Sequence, residues 1–138
     1  MIKKILVASD GSSPAMEAAR AAARIAGAFD AELTVVTVAN IPRMYKVDLG
    51  DEMERAYIED WEHALKDTVR AIGDVVKPRA KLLREDSPAE AILAEAESGG
   101  YDLIVVGSTG AGNPGERAMG SVAARVGAGA HCSVLVIR

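Results

Sequence analysis

The chain has 138 residues, 16 basic and 20 acidic, and a net charge of −4. Its length suits one domain with a full core. An acidic balance without a basic stripe argues against nucleic acid as a partner. The longest apolar runs are far shorter than the roughly 20 residues that span a bilayer, so no membrane partner is expected.

Targeting and redox signals favour the cytoplasm. The basic start at Lys3 and Lys4 leads into a short strand, and no signal-peptide core follows. The single cysteine, Cys132, cannot form an intrachain disulfide, which fits a reducing compartment.

Strand-like and helix-like segments alternate along the chain, judged by period and by cap residues. In chain order we predict a strand at Lys4–Ser9, a helix from its cap Ser13 to Gly27, a strand at Glu32–Ala39, a loop at Asn40–Gly50, a helix at Asp51–Lys77, a strand at Ala80–Glu85, a helix from its cap Ser87 to Ser98, a strand at Asp102–Gly107, a helix at Ser121–Ala128 and a strand at Ser133–Ile137.

This alternation predicts an α/β fold: a single domain over residues 1–138, with an open five-stranded parallel sheet and helices on both faces. In such sheets, ligands bind beyond the carboxyl ends of the strands, where the chain order reverses. The first strand ends near Asp10 and the fourth at Gly107. If these strands are neighbours, both residues face one crevice.

A glycine-punctuated loop follows the fourth strand and leads into a helix. It contains Gly107, Gly110 and Gly120, with Ser121 next. Backbone N–H groups in such a loop, with a helix N-terminus behind them, can hold phosphate. The alternative is a surface turn without a ligand, with Ser121 acting as a helix cap. The loop lacks the lysine of a phosphate-transferring P-loop, and Arg117 is its only cation.

Asp10 is the second candidate residue. It can accept hydrogen bonds from ribose hydroxyls or from the adenine amino group. The alternative is a turn residue that bonds its own backbone. We assign Ser12 and Ser13 to helix capping rather than to ligand contact.

The sequence offers no convincing set of catalytic residues. His63 lies among charges on the long helix and is predicted to be exposed. His131 and Cys132 are adjacent in an extended segment, so their side chains point to opposite faces. We predict that Cys132 is a small buried hydrophobe, and we expect no catalytic residues and no metal-ligand cluster.

The chain resembles the universal stress protein family over essentially its whole length. The residues that carry the likeness are Ile5–Ser12 in the first strand and turn, Asp102–Gly110 in the fourth, and Cys132–Val136 in the last. The spacing G-x2-G-x9-G-S/T resembles the signature of the family's ATP-binding branch, and it is met by Gly107, Gly110, Gly120 and Ser121. Two departures are Ala123, where many members carry a hydroxyl, and Ser133, where proline is usual.

The resemblance implies a Rossmann-like, adenine nucleotide alpha hydrolase-like sheet that binds ATP, with Mg²⁺ as a companion ion, across the first and fourth strands. The implied contacts are the backbone of Ala8 and Ser9 with Asp10 at adenine and ribose, Val38 on the base, and Gly107, Gly110, Gly120, Ser121 and Val122 along the ribose and phosphates. It also implies a homodimer in which Val134–Ile137 pairs with its symmetry mate.

Several functions stay open at this point. The first is a regulatory ATP-binding protein of the stress response, with Asn40–Gly50 as its movable element. The second is an ATP-hydrolysing or adenylating enzyme of the same fold, although the residues after the first strand lack the S-G-G-x-D-S pattern of the adenylating class. The third is a module that binds cyclic AMP or no nucleotide.

Overall fold

The computed structural model describes residues 1–40, 51–109 and 119–138. In chain order, the elements within these ranges are β1 (Lys4–Ala8), α1 (Ser13–Phe29), β2 (Glu32–Ala39), α2 (Asp51–Ile72), β3 (Arg79–Arg84), α3 (Pro88–Gly99), β4 (Leu103–Gly107), α4 (Ser121–Gly129) and β5 (Ser133–Ile137).

The strands form one sheet in the order β3-β2-β1-β4-β5, and every neighbouring pair is parallel. The predicted fold class is therefore confirmed. The chain moves outward in one direction from β1 to β2 and β3, and in the other direction from β4 to β5. The order reverses between β1 and β4, which makes their carboxyl ends the expected ligand-binding position.

Helices α1 and α2 cover one face of the sheet. Ile5 and Val7 of β1 lie here, fully buried, with Leu65 and Ile72 of α2. The buried side of α1 is made of alanines only, namely Ala15, Ala18, Ala19, Ala22, Ala23 and Ala26. Because a methyl group is short, α1 packs close against the strands.

Helices α3 and α4 cover the opposite face. The residues of β1 and β4 that alternate with the first set, Leu6, Ile104 and Val106, are buried against Ile92 of α3 and Val126 of α4. Central strands that are buried on both faces have nearly continuous apolar sequences, as β1 and β4 do here. Within the described ranges, no helix combines the length and the apolar composition needed to cross a membrane.

Three predicted helix boundaries were wrong. Ser12, not Ser13, caps α1: its hydroxyl accepts from the Ala15 N–H at 3.4 Å. Gly27 does not end α1, because the left-handed cap conformation is taken three residues later by Asp30 (φ 54°), whose N–H bonds the Ala26 carbonyl. The long helix α2 ends at Ile72 and gives way to a turn before Lys77.

The predicted boundaries of α3 are confirmed to within a residue. Ser87 accepts from the Glu90 N–H at 3.4 Å, and Gly100 (φ 66°) closes the helix with its N–H on the Ala96 and Glu97 carbonyls. The Glu90 carboxylate accepts from Arg125. This ion pair links α3 to α4.

The Asp102 side chain, just before β4, forms hydrogen bonds to the backbone at the amino end of β1. Its Oδ2 accepts from the Lys3 N–H at 2.9 Å and the Lys4 N–H at 3.0 Å. The bond from Lys3 is the main cause that lowers the pKa of this carboxyl, and the bond from Lys4 adds to it.

Replacing Asp102 by asparagine is expected to flatten the dependence of stability on acid pH. A carboxyl whose pKa is lower in the folded than in the unfolded state contributes stability above its unfolded pKa of about 4. That contribution is lost as the pH falls through the folded pKa. Wild type should therefore be the more stable protein at neutral pH, and the difference should shrink below about pH 4. Thermal unfolding of both proteins across this range checks the prediction, and parallel curves would contradict it.

Candidate functional site

The carboxyl edge of the sheet opens between β1 and β4. These strands pair only from Ile5–Leu103 to Val7–Val105. Beyond that point the chain that follows β1 remains hydrogen-bonded to β2, because the Ser9 N–H donates to the Val36 carbonyl at 2.9 Å. β4 stays with β5, as the Ser108 N–H bonds the Ile137 carbonyl at 2.8 Å. The two strands thus stop pairing with each other at the point where the chain order reverses, which is where parallel sheets of this kind form a ligand-binding crevice.

Asp10 lies in the turn that follows β1, on the exposed side of the crevice. Its Oδ1 accepts from the Ser12 N–H at 2.9 Å. This is the local turn bond that the sequence left as an alternative to ligand contact. The two roles are compatible, because a carboxylate has about four acceptor positions and this bond uses one.

Ser9 is predicted to contribute backbone, and its side chain does point away from the crevice. The hydroxyl is buried and lies 2.8 Å from Thr68 Oγ1 of α2. It also accepts from the Gly11 N–H at 3.2 Å. The side chain therefore joins the turn to α2, on the α1 and α2 face of the sheet.

Gly107 and Gly120 lie where backbone segments approach closely, tightly at Gly107 and too closely for a side chain at Gly120. A Cβ on Gly107 would lie 3.2 Å from the Pro14 carbonyl oxygen at the start of α1. A Cβ on Gly120 would lie 2.8 Å from the Ser108 carbonyl oxygen, the atom that accepts the Gly120 N–H at 2.6 Å. These glycines bring β4, α1 and α4 together around the crevice.

Among the residues that the structure describes, no side chain caps the N-terminus of α4. Gly120 is the cap residue, and its lack of a side chain leaves the first-turn N–H groups without the bond that Ser12 and Ser87 supply to α1 and α3. Ser121, which the sequence offered as the cap, is instead the first helical residue and is exposed. Uncapped first-turn amides and the positive end of the helix dipole both attract an anion.

The apolar residues predicted at the site share one face of the sheet. Val38 is buried in the core beneath α3 and α4, while Ala8 and Val122 pack against that core and remain partly exposed. Ala8 and Val122 thus leave some apolar surface on this face, which is opposite to the face that holds the Ser9 hydroxyl.

Some of the predicted residues lie outside the described ranges. These are Gly110 and Arg117 in the glycine loop, and residues 41–50 of the loop predicted at Asn40–Gly50.

The histidines and the cysteine, to which the sequence assigned no role in catalysis, lie in ordinary environments. His63 and His131 are exposed. Cys132 is partly rather than fully buried, and burial raises the pKa of its thiol, which keeps it protonated at neutral pH. In the part of the chain that the structure describes, no three His, Cys, Asp or Glu residues come together as a metal site.

Two residues at the site escaped sequence reasoning. Thr68 falls on the apolar stripe of α2, where its spacing suggests core packing, yet its hydroxyl bonds Ser9. Ser108 lies between Gly107 and Gly110. It acts through its backbone carbonyl, which every residue type has, so its side chain gave no signal in the sequence. For Thr68, the available signal was a hydroxyl on an otherwise apolar stripe.

Comparison with known proteins agrees with this architecture. The chain matches the universal stress protein family over residues 1–138. It is 39% identical to a universal stress protein of Thermus aquaticus, and all of both chains is covered. The solved structure of UspA from Lactobacillus plantarum superposes with a TM-score of 0.83 at 29% identity, covering 99% of this chain and 98% of that one.

Two further solved structures hold adenine nucleotides. One is a universal stress protein in complex with cAMP (TM-score 0.77, 21% identity, 99% of this chain and 97% of that one). The other is a universal stress protein from Archaeoglobus fulgidus in complex with dAMP (TM-score 0.75, 23% identity, 100% and 98%). At these identities the likeness shows the shared fold alone. The match over the whole length of the sequence shows that this chain belongs to the universal stress protein family.

Proposed function

We propose that this protein binds an adenine nucleotide, with ATP as the first candidate, in the crevice between the carboxyl ends of β1 and β4. The observation that carries the proposal is the combination of this crevice with the uncapped N-terminus of α4 beside it. The cAMP and dAMP complexes of relatives with the same fold support the choice of an adenine nucleotide.

The two sides of the crevice differ in chemistry, which orients the ligand. On the β1 side, the Asp10 carboxylate can accept from ribose hydroxyls, and Ala8 and Val38 offer apolar contact to the base. On the β4 side, Ser121, Val122 and the first turn of α4 present amides to the phosphates. In this arrangement the nucleoside lies toward β1, and the phosphates lie toward α4.

A magnesium ion would be held mainly by the nucleotide. Mg²⁺ keeps several waters and commonly binds substrate phosphates with only one or two carboxylates. Asp10 is the site carboxylate that would supply a protein ligand to the ion. ATP with Mg²⁺ is therefore compatible with a site that has no dedicated cage of carboxylates among the described residues.

We further propose that binding regulates the protein in the stress response, with little or no turnover of the nucleotide. A ligand regulates by having unequal affinity for two states of the protein. The turn at Asp10 and the start of α4 belong to different elements, and a bound nucleotide joins them.

The edge strand β5 is the proposed homodimer interface. It pairs with β4 on one side only within the described sheet, and Leu135 is 37% exposed. An apolar edge strand left unpaired invites association with another chain. Pairing of β5 with the same strand of a second copy would cover this edge.

Nucleotide binding is tested on the purified protein. Mass spectrometry of small molecules released by denaturation identifies any retained nucleotide, and titration calorimetry compares Mg-ATP, AMP and cAMP. We expect saturable binding of at least one of them, weakened about tenfold or more by Asp10→Ala through the loss of charge-assisted hydrogen bonds. Asp74→Ala, an exposed aspartate beyond α2, is the matched control and should bind normally.

Each other outcome of this experiment has a definite meaning. Absence of binding by all three nucleotides would refute the proposal. Preference for cAMP over ATP would retain the site and change the ligand. Stoichiometric release of AMP and pyrophosphate would point to an adenylating enzyme instead of a regulator.

A further inference from the structure

A chain of hydrogen bonds connects the Asp10 turn to the middle of α2. The Thr68 hydroxyl donates to the Ala64 carbonyl at 2.8 Å. Since that bond uses the only proton of Thr68, the Ser9 hydroxyl must donate to Thr68 Oγ1, 2.8 Å away. The Ser9 oxygen then accepts from the Gly11 N–H at 3.2 Å. Every link therefore has one direction, from Gly11 through Ser9 and Thr68 to Ala64.

The same helix also touches the turn directly. At Gly11, α2 comes so close that an added Cβ would lie 2.9 Å from Cβ of Ala64. Ser9 and Thr68 are both buried, at 5% and 0% exposure. A buried hydroxyl that loses its partner costs more than the bond contributed, so the chain of bonds is hard to break at one point. Helix α2 thus holds the backbone on both sides of Asp10.

We infer that Thr68 is a positioning residue for the nucleotide site: through Ser9 it fixes the Gly11 amide and so the direction in which Asp10 faces the crevice. Thr68 itself does not line the crevice, because the Ser9 side chain leads to the α1 and α2 face. The inference rests on the proposed function for its effect on affinity, but the placement of the turn can be measured without any nucleotide.

A matched control lies in the same layer. Thr37 of β2 is fully buried, and alternation along the strand from Val35 places it on the α1 and α2 face as well. Its hydroxyl has no hydrogen-bond partner among the described residues. Thr37→Val and Thr68→Val therefore make the same isosteric change in the same surroundings, and only the second removes bonds.

The test measures the hydrogen exchange of the Gly11 amide by NMR in the free protein, together with the affinity for Mg-ATP by calorimetry. Thr68→Val should speed the exchange of Gly11 and raise the dissociation constant, each about tenfold. Thr68→Ser, which keeps the hydroxyl, should restore both values. Thr37→Val should leave both as in wild type.

Ser9→Ala breaks the chain at its middle and provides a second route if Thr68→Val does not fold. Unchanged Gly11 exchange in a folded Thr68→Val protein would overturn the inference, and if that variant does not fold, unchanged exchange in Ser9→Ala would overturn it. If wild type binds no nucleotide, the proposed function fails, and the exchange of Gly11 still decides whether Thr68 positions the turn. Changed exchange with unchanged Mg-ATP affinity would contradict a role for Thr68 in the site.

Discussion

Replacing Gly120 by valine is expected to weaken Mg-ATP binding about 100-fold or more. A Cβ at this position would lie 2.8 Å from the Ser108 carbonyl oxygen, which is backbone and cannot move aside without shifting the end of β4. The branched side chain therefore pushes the start of α4 away from β4. In catalytic sites a displacement of about 1 Å can cost about two orders of magnitude in rate, and we expect a comparable loss of affinity where several amides act on one phosphate chain. Titration calorimetry measures the loss.

Gly127 of the same helix provides the control for this prediction. Nothing lies within 4 Å of a Cβ built there, and the residue is exposed. Valine and glycine differ by only a few tenths of a kcal/mol in helix propensity, so Gly127→Val should be nearly neutral in stability and affinity. Wild-type affinity in a folded Gly120→Val protein would show that the start of α4 is not part of the site.

Replacing Val136 by proline is expected to convert a dimer into a monomer. The Ile137 carbonyl points toward β4, where it accepts from Ser108, so by alternation the N–H and carbonyl of Val136 point to the free edge of the sheet. Proline removes this outward N–H without removing a bond to β4. In a two-fold dimer the loss occurs twice, so the dissociation constant should rise roughly 100-fold. Sedimentation velocity over a concentration series measures this change.

Val136→Thr separates loss of pairing from loss of packing. Threonine keeps the N–H and the branched shape of valine, so this variant should remain dimeric. Thermal unfolding of both variants shows whether proline also disturbs the contact of Val136 with the core beneath α3 and α4. A wild-type protein that is monomeric at all concentrations would refute β5 as a dimer interface.

The sheet was predictable because its signals are local and repeated. The runs that became β1, β2 and β4 are rich in apolar residues, and a segment with helical periodicity follows each of them in the sequence, which is the pattern of a parallel sheet. Ser87 marked the start of α3 correctly because its hydroxyl bonds a backbone N–H only three residues away. The end of α1 was missed because Asp30, not Gly27, takes the left-handed conformation, and sequence alone does not distinguish the two.

The candidate site was predictable in its position but only partly in its bonds. The sequence placed Asp10 and Gly107 at the ends of two strands, and the sheet order made those strands neighbours. It did not indicate that Ser9 bonds Thr68, because these residues are 59 positions apart and meet only after α2 packs on the sheet. It also gave no reason for Gly120 beyond ligand approach, whereas the Ser108 carbonyl supplies one from packing alone.

The all-alanine buried side of α1 has a consequence for how this protein can diverge. Each of the six inward positions already carries the smallest side chain that a helix favours, so a larger one can enter only if the helix retreats from the sheet. The start of α1 also abuts Gly107 through the Pro14 carbonyl, so such a retreat would shift the end of β4. We therefore expect larger side chains to be tolerated only on the solvent side of this helix.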